Sequence, residues 1–420
     1  MTRGIAAVIV ILVVTTLFAT GDASPADVLP KEVTLSDALA LMVARSPFAA
    51  AERARIDVAA MELVTAGLLP NPSLSYGGVR LVSGVNTGAA TQHQAVIEQP
   101  LLLFGQRGAR KRVAQLNVDS EQAGVAASLA ARGLAVRQAF ATLLGAEARL
   151  HIIDEAAADL ERVESVVRGR THAGDRSTYD LIRIEVETRV VQVELDNARA
   201  EADDASAGLA AAVGIADWRP RAKGTLRPAD IPTDFAELWQ TAQQRRPALR
   251  AAVARQAAAR GGIGLARRER LPVPALAAGT LVTRDENSTS AFFGVSVPLP
   301  IFDRGQGTIG KALAEEHAET LALDAEITDA RAALVRSSAL LVKRREALAR
   351  LEREVMERMP TMRRMAEDAY REGAGTILEL LDAFRTAKER RLLHAEQLEK
   401  VKLAEAEVVA TAGIEEPVHE

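Results

Sequence analysis

The chain has 420 residues, a formal net charge of -4 and no cysteine. This charge balance offers no basic footprint for nucleic acid, so no nucleic-acid partner is expected. The absence of cysteine excludes disulfides, thiolate metal sites and thiol nucleophiles. Aromatic residues make up only 3% of the chain and alanine is abundant, a composition that favours long, closely packed helices.

The N-terminus has the pattern of a secretory signal peptide. Arg3 supplies a positive charge, an apolar run follows from residue 5 to residue 18, and small residues lead to a cleavage site near residue 23. The apolar run is shorter than the ~20 residues that a membrane-spanning helix needs. We therefore predict a signal peptide over 1–23 and an exported mature chain.

The remaining sequence consists of two halves with one plan. Residues 34–214 are echoed by residues 233–413, and proline and glycine landmarks recur in the same order. The segment between the halves is rich in proline and is interpreted as a connector. The predicted organisation is a first repeat over 24–214, a connector over 215–233, a second repeat over 234–414 and a short tail over 415–420.

Within each half the hydrophobic period changes in the same order. A helical stretch comes first, over 34–68 and 233–270, and Pro47 or Pro247 ends a short lead helix near its start. Two stretches with strand character follow, each separated from its partner by turn residues. The predicted hairpins are 72–103 and 273–301, with strands over 72–83, 92–103, 273–284 and 291–301.

The number of strands predicts an oligomer. Each strand has about the ~9 to 11 residues that cross a bilayer when tilted. Four strands cannot close a barrel, and unpaired sheet edges are not tolerated in lipid, so several chains must share one barrel. The predicted fold class is mainly α with a β-barrel contribution: a long α-helical coiled-coil barrel plus four transmembrane β-strands per chain, with a twelve-stranded barrel formed by a trimer.

Each hairpin is followed by a very long helical stretch and a return helix. The stretches 106–171 and 307–371 contain no proline before Pro360, and each predicts a helix roughly 100 Å long. The first return helix has an a/d heptad seam over 181–212. The second, over 376–411, places Arg391, His394 and Glu405 on its seam, which predicts a wide and partly wet bundle.

This order of elements resembles the TolC-like outer-membrane efflux proteins over essentially the whole mature chain. The most specific likeness lies in the turns before the return helices. Residues 370–383 are similar to the family's Gly-x-x-Thr-Ile-x-Asp/Glu-x-Leu-Asp-Ala tip, and residues 173–181 are the first-half counterpart. Residues 99–108 and 302–307 look most like the branch that serves heavy-metal pumps of the cobalt-zinc-cadmium type.

The resemblance implies a function and a set of partners. The chain would be the outer-membrane channel subunit of a tripartite efflux pump of the RND type, a passive exit duct for heavy-metal cations. It would form a homotrimer in the outer membrane, with helices extending into the periplasm. Its partners would be a periplasmic adaptor protein, an inner-membrane RND pump and outer-membrane lipid.

The resemblance also assigns roles to residues of the tips. Glu379 and Asp382 would face the channel axis as stacked acidic rings at the periplasmic constriction. Their spacing of three puts both on one helix face, which an ordinary solvated face also explains. Tyr370 and Asp180 match positions that link neighbouring tips and keep the pore closed.

The loops at the tips are small and polar, which would suit docking of an adaptor's helical hairpins. A helix-helix turn that needs glycine explains the same residues. The sequence departs from the family at one position, where glycine stands in place of the arginine of the family's prototype. The predicted docking residues are Gly174, Ser177, Gly373, Gly375 and Thr376, of which Gly375 is the departure.

Nothing in the sequence predicts chemistry. The six histidines show no metal-ligand spacing, and neither a phosphate loop nor a nucleophile elbow is found. We therefore expect no enzymatic activity, no cofactor and no bound metal. Two alternatives stay open: a drug or organic-solute efflux channel of the same family, and a soluble periplasmic coiled-coil adaptor protein, which would need many more short strands.

Overall fold

The computed structural model describes residues 29–85, 89, 91–172, 177–284 and 287–414. The predicted signal peptide, the C-terminal tail and Gly174 lie outside the described residues. The helices are α1 (Leu35–Arg45), α2 (Pro47–Ala66), α3 (Gln106–His172), α4 (Thr178–Val213), α5 (Phe235–Arg245), α6 (Pro247–Glu269), α7 (Gln306–Glu354), α8 (Met359–Arg371) and α9 (Ile377–Ala412). The strands are β1 (Glu32–Val33), β2 (Ser73–Arg80), β3 (Thr91–Pro100), β4 (Arg221–Ala222), β5 (Ala275–Thr283) and β6 (Ser288–Ser296).

The lead helix α1 begins and ends at positions set by local chemistry. The backbone N–H of Asp37 donates to Thr34 Oγ1 (3.2 Å), and the backbone N–H of Thr34 donates to Asp37 Oδ2 (3.0 Å). The pKa of Asp37 is lowered by two hydrogen bonds that its Oδ2 accepts from Thr34, one from the backbone N–H and one from the side-chain hydroxyl (2.7 Å). The helix ends at Arg45 because Pro47, fixed in φ, opens α2 at its first turn.

The four long strands form one antiparallel sheet in the order β2-β3-β5-β6. The central pair, β3 with β5, joins the two halves of the chain, in register from Gln92 opposite Thr283 to Pro100 opposite Ala275. Both predicted hairpins form, with each strand shorter than predicted. Within the described residues, β2 and β6 each have one edge with no neighbouring strand.

The helices follow a lateral order that leaves two open edges. Next to the sheet, neighbouring helices contact one another in the order α2, α3, α6 and α7. At the far end the order is α4, α3 and α9, and α9 then contacts α7 and α8. The 67 residues of α3 span both ends, roughly 100 Å. The described chain is therefore a segment of a helical wall rather than a closed bundle.

The prediction of an uninterrupted second long helix over 307–371 is wrong. Helix α7 ends at Glu354, a 3-10 turn occupies Met356–Arg358, and α8 begins at Met359. The reason is Pro360, which has no backbone N–H to continue the α-helical ladder and sits in the first turn of the new helix. The equivalent helix of the first half, α3, has no proline and is continuous as predicted.

The seam of α4 follows the predicted heptad and then departs from it. Its first buried positions alternate by four and three residues from Ile184 to Ala202. Leu209 is also buried as predicted, but Ser206 and Val213 are buried in place of the predicted 205 and 212. A straight helix has 3.6 residues per turn, so its buried face drifts away from a strict seven-residue repeat.

The connector is held against the return helices of both halves. Ser206 Oγ of α4 donates to the carbonyl of Pro220 (2.7 Å), and the backbone N–H of Ala229 donates to Glu405 Oε1 of α9 (2.9 Å). Ser206 and Glu405 stand at equivalent positions of the two halves, since each precedes the C-capping glycine of its helix by eight residues. Duplicated helices thus present one buried polar side chain each to the segment that joins them.

Glu405 is not the wet seam residue that the sequence predicts. Its side chain is fully buried, and its carboxylate accepts from Arg345 (3.1 Å) and pairs with Lys402 (3.2 Å). Arg345 also donates to the backbone carbonyls of Ala229 (2.6 Å) and Ile231 (3.1 Å). The wet-seam prediction is therefore wrong here, because a buried carboxylate needs charged partners and hydrogen bonds instead of water.

A second carboxylate against the connector predicts a pH effect. Partial burial raises the pKa of Glu147, whose Oε1 accepts from the backbone N–H of Ala222 (3.3 Å). A raised folded-state pKa means that ionisation of Glu147 opposes folding at neutral pH. We expect Glu147→Gln, which keeps the acceptor, to raise the free energy of unfolding at pH 7 by less than about 1 kcal/mol.

The gain from Glu147→Gln should vanish in acid. Below the ordinary carboxyl range Glu147 is protonated in both the folded and unfolded chain, so the substitution then changes little. Thermal unfolding followed by helical circular dichroism at several pH values measures this. A gain that persisted unchanged in acid would show that Glu147 ionisation is not its cause.

Candidate channel and tip sites

The four-stranded sheet has one predominantly apolar face. Strand register places Leu74, Ile97, Ala278 and Phe293 side by side in one row across it. Leu74 is 74% and Phe293 82% exposed in the single chain. The opposite face carries most of the polar side chains of the sheet: Ser73, Ser75, Gln92, Gln94, Glu98, Thr283, Ser288, Ser290 and Ser296. Such a sheet suits lipid on one side and water on the other.

A tyrosine-histidine pair stands on the apolar face near the hairpin turns. The rings of Tyr76 and His93 stack with their centroids 5.9 Å apart, and Tyr76 Oη lies 2.8 Å from His93 Nδ1. The pair covers Gly78, where a Cβ would approach His93 Nδ1 to 3.3 Å. An aromatic pair with polar ends is typical of a membrane interface.

The second-half tip is a glycine turn followed by a capped helix. Gly373 has a φ of 77°, the left-handed conformation that glycine adopts at low cost. The backbone N–H of Thr376 donates to Glu379 Oε2 (2.8 Å), and the backbone N–H of Glu379 donates to Thr376 Oγ1 (3.3 Å). This capping box, which the spacing Thr-x-x-Glu signals but our sequence interpretation missed, starts α9 at Ile377.

Gly375 lies against the end of the preceding helix. Its backbone N–H donates to the carbonyl of Ala369 (2.9 Å), and a Cβ at this position would lie 3.2 Å from the Ala369 Cβ and 3.3 Å from the Tyr370 nitrogen. The turn is thus tighter than most side chains allow. Gly375, which replaces the prototype's arginine, therefore allows the end of α8 and the start of α9 to lie close together.

The two predicted ring residues both lie on the open face of α9. Glu379 and Asp382 are exposed, whereas Ile377, Leu380 and Leu381 are buried. The Glu379 carboxylate is held by its capping bond, and in the described chain Asp382 makes no side-chain hydrogen bond or ion pair. Their place at a constriction stays a prediction, because one chain contains no axis.

The predicted latch residues lie on both tips. Tyr370 is buried in the apolar cluster of the tip, together with residues of α3, α4 and α9. Asp180 is partly buried and is the third residue of α4. Glu379 is the third residue of α9, so the two carboxylates stand at equivalent positions of the two return helices. Ser177 caps α4 by accepting from the backbone N–H of Tyr179 (3.1 Å). The pairing of the latch between chains stays a prediction.

Arg363 is a tip residue that the sequence interpretation missed. It pairs with Asp159 of α3 and with Glu367 one turn along α8 (2.7 Å), and its guanidinium lies 4.5 Å from the centre of the Phe384 ring. Burial acts to lower the pKa of Arg363, but these carboxylate bonds outweigh it and raise the pKa. Only the Arg363–Glu367 pair could be found from sequence, by its i,i+4 spacing.

None of the described helices is both long and apolar enough to cross a membrane. Over the same residues, no group of three or more histidine, aspartate or glutamate side chains is arranged to hold a metal ion.

A wall of very long helices that carries an antiparallel sheet with one apolar face is the architecture of an outer-membrane channel. Residues 238–413 match the family model described as outer membrane efflux protein. The chain is 27% identical to the cobalt-zinc-cadmium resistance protein CzcC of Cupriavidus metallidurans, over 87% of each chain. It is 29% identical to the protein CyaE of Bordetella pertussis, over 93% of this chain and 85% of that one.

A solved structure shares the fold of this chain. A crystal structure of a membrane protein from Pseudomonas aeruginosa superimposes with a TM-score of 0.72 at 21% identity, over 90% of both chains. The chain is thus similar to the outer membrane efflux protein family, whose model matches its second half. The resemblance to this family is thereby confirmed, and the alternative of a soluble adaptor protein is set aside.

Proposed function

We propose that this chain is the exit duct of a tripartite efflux pump, and that the duct is a homotrimer. The chain is an outer-membrane efflux channel with helices extending into the periplasm. The main support for a duct is the sheet with one apolar and one polar face, which is joined to a helical wall with open edges. A polar lining inside an apolar exterior lets solute pass without being transformed.

The open edges of the chain support assembly with further copies. Strands β2 and β6 leave unpaired edges, which in lipid must be satisfied by another strand. Helix α4 exposes an apolar stripe at spacings of three and four residues along one face, made of Tyr179, Ile182, Val186, Val190 and Val193. Three copies would close a twelve-stranded barrel.

The tips support contact with a periplasmic adaptor that links the duct to an inner-membrane RND pump. Ser177, Gly373 and Thr376 are exposed at helix starts and turns, where a helical hairpin could approach the backbone closely. Gly375 is half-buried against α8, so it shapes the turn and offers little docking surface. Gly174 completes the proposed docking set from the first tip.

Heavy-metal cations are the proposed cargo. The support is likeness to a protein named for cobalt, zinc and cadmium resistance over most of both chains. The exposed carboxylates of Glu379 and Asp382 would attract cations at the tip without holding them. Weak, repeated attraction is what a conducting site requires.

Single-channel recording of the purified protein in a planar bilayer tests the duct. We expect small, cation-selective currents that divalent cations block, because the proposed constriction is narrow and acidic. Deletion of the gene should separately raise the sensitivity of cells to zinc, cobalt and cadmium. A protein that never inserts would contradict the duct, whereas an unchanged metal sensitivity with normal currents would contradict only the cargo.

A further inference from the structure

The junction between helices and sheet carries a concentration of positive charge. We define the basic collar as residues 103–112, 267–270 and 302–306, the helix ends and loops that adjoin the sheet. It contains eight arginines and lysines against two acidic residues, a net charge of +6 in a chain whose total is -4. The remainder of the chain therefore has a net charge of -10, that is -4 less +6, and the collar is a local excess of positive charge in an otherwise acidic chain.

The two acidic residues of the collar already have partners. Glu269 pairs with Arg110 (2.9 Å), and Asp303 Oδ1 accepts from the backbone N–H of Gly305 (2.8 Å). Among the described residues, no carboxylate lies within ion-pair distance of four exposed side chains of the collar: Lys111, Arg112, Arg267 and Arg270. An uncompensated cluster of this kind repels itself and is stabilised by an anionic partner.

The collar lies where the apolar face of the sheet ends. The register of the sheet closes at Pro100 opposite Ala275, and the backbone N–H of Leu101 donates to the carbonyl of Pro274 (2.7 Å). Arg268 of α6 donates to the carbonyl of Phe104 (3.2 Å), which ties the two segments of the collar together. Phe302, 92% exposed, stands at the boundary between apolar sheet and basic collar.

A groove beside the collar combines the same two chemistries. It lies between α2 and α3 and has a volume of about 510 Å³. Leu63, Val64 and Leu68 form its apolar part, and Lys111 and Arg112 its basic part. Apolar lining for an acyl chain next to cations for a phosphate matches one lipid molecule.

We propose that the collar binds anionic phospholipid headgroups, in particular phosphatidylglycerol, in the membrane leaflet that faces the periplasm. The helices extend into the periplasm, so the collar lies at the level of that leaflet's headgroups. Basic residues next to a membrane-embedded segment attract anionic lipid, and the attraction weakens with salt. The apolar face of the sheet and the collar then form one continuous lipid-contacting surface.

Native mass spectrometry of the detergent-purified protein tests the proposal. The probes are dioleoylphosphatidylglycerol and the zwitterionic dioleoylphosphatidylcholine, titrated at low and high salt. We expect the wild type to prefer phosphatidylglycerol at low salt. Replacing Lys111, Arg112, Arg267 and Arg270 by glutamine should weaken that binding by about tenfold and leave phosphatidylcholine binding unchanged.

A matched control removes four exposed arginines elsewhere: Arg183, Arg250, Arg350 and Arg353 to glutamine. It should keep the preference for phosphatidylglycerol. If both variants lost phosphatidylglycerol binding to the same extent, the net charge of the protein and not the collar would explain the binding, and the proposal would be overturned. The proposal would also be overturned if the collar variant kept its lipid binding but no longer formed an oligomer. That result would show that the groove contacts a second copy of the chain and not a lipid.

Two further measurements do not depend on the fold of the variant. The preference of the wild type itself must fall as salt rises, and a preference that ignores salt overturns the electrostatic argument. Binding of purified peptidoglycan that is lost in the collar variant, with unchanged lipid binding, would assign the collar to that polymer instead. Bilayer currents of the collar variant test the duct separately, so failure of one proposal leaves the other measurable.

Discussion

Amide substitution of both tip carboxylates, Glu379→Gln with Asp382→Asn, is expected to weaken divalent block of the channel by about thirtyfold, since each of the two carboxylates contributes about 1 kcal/mol at a solvated site. Cation preference should fall with it. The glutamine oxygen at 379 can still accept from the backbone N–H of Thr376, so the capping box that starts α9 is retained. Conductance and reversal potential in a planar bilayer measure both effects.

Neighbouring carboxylates supply the control for this experiment. Glu357→Gln with Glu372→Gln removes the same charge from exposed positions on either side of α8. We expect block and selectivity of this variant to resemble those of the wild type, because a ring acts only where three copies approach the axis. If both variants changed alike, Glu379 and Asp382 would be ordinary surface charges.

Loss of the partly buried guanidinium at position 345 is expected to have the largest effect on stability. Arg345→Met leaves the fully buried Glu405 without its main partner, and breaking a buried pair on one side costs about 3 to 5 kcal/mol. Lys402, 3.2 Å from Glu405 Oε2, should keep the loss near the lower end. Urea unfolding in detergent, followed by helical circular dichroism, measures it.

A second substitution distinguishes two causes of the lost stability: the unpaired buried charge of Glu405 and the lost packing of Arg345. Adding Glu405→Gln to Arg345→Met removes the stranded charge and keeps an acceptor for the backbone N–H of Ala229, so part of the stability should return. Arg345 also holds the carbonyls of Ala229 and Ile231, and proteolysis of the connector should therefore accelerate in the single variant. No recovery in the double variant would mean that lost packing, not buried charge, is the cause.

A matched pair on the same two helices provides the comparison. Arg336 of α7 pairs with Glu407 of α9 at 3.5 Å, but Arg336 is 73% exposed. Arg336→Met should cost less than about 1 kcal/mol, because water replaces the lost partner. A loss as large as that of Arg345→Met would show that burial does not decide the difference.

The local features of this protein could be predicted from the sequence. Both hairpins, the lead helices ended before Pro47 and Pro247, and the long helix α3 lie where hydrophobic period and turn residues place them. The duplicated order of these elements, together with the tip motif around Gly373 and Thr376, was sufficient to predict the resemblance to outer-membrane efflux proteins. These features depend on interactions between residues that are close in the chain, and such interactions can be inferred directly from the sequence.

The tertiary structure alone decided which polar side chains are buried and what they meet. Arg391, His394 and Glu405 share one predicted seam, yet only Glu405 is fully buried, because a connector more than 170 residues away in sequence covers it. The pairing of Arg363 with Asp159 likewise depends on a contact between helices that periodicity does not encode. Burial and ion pairing are properties of distant segments brought together, so they become known only once the helices are packed.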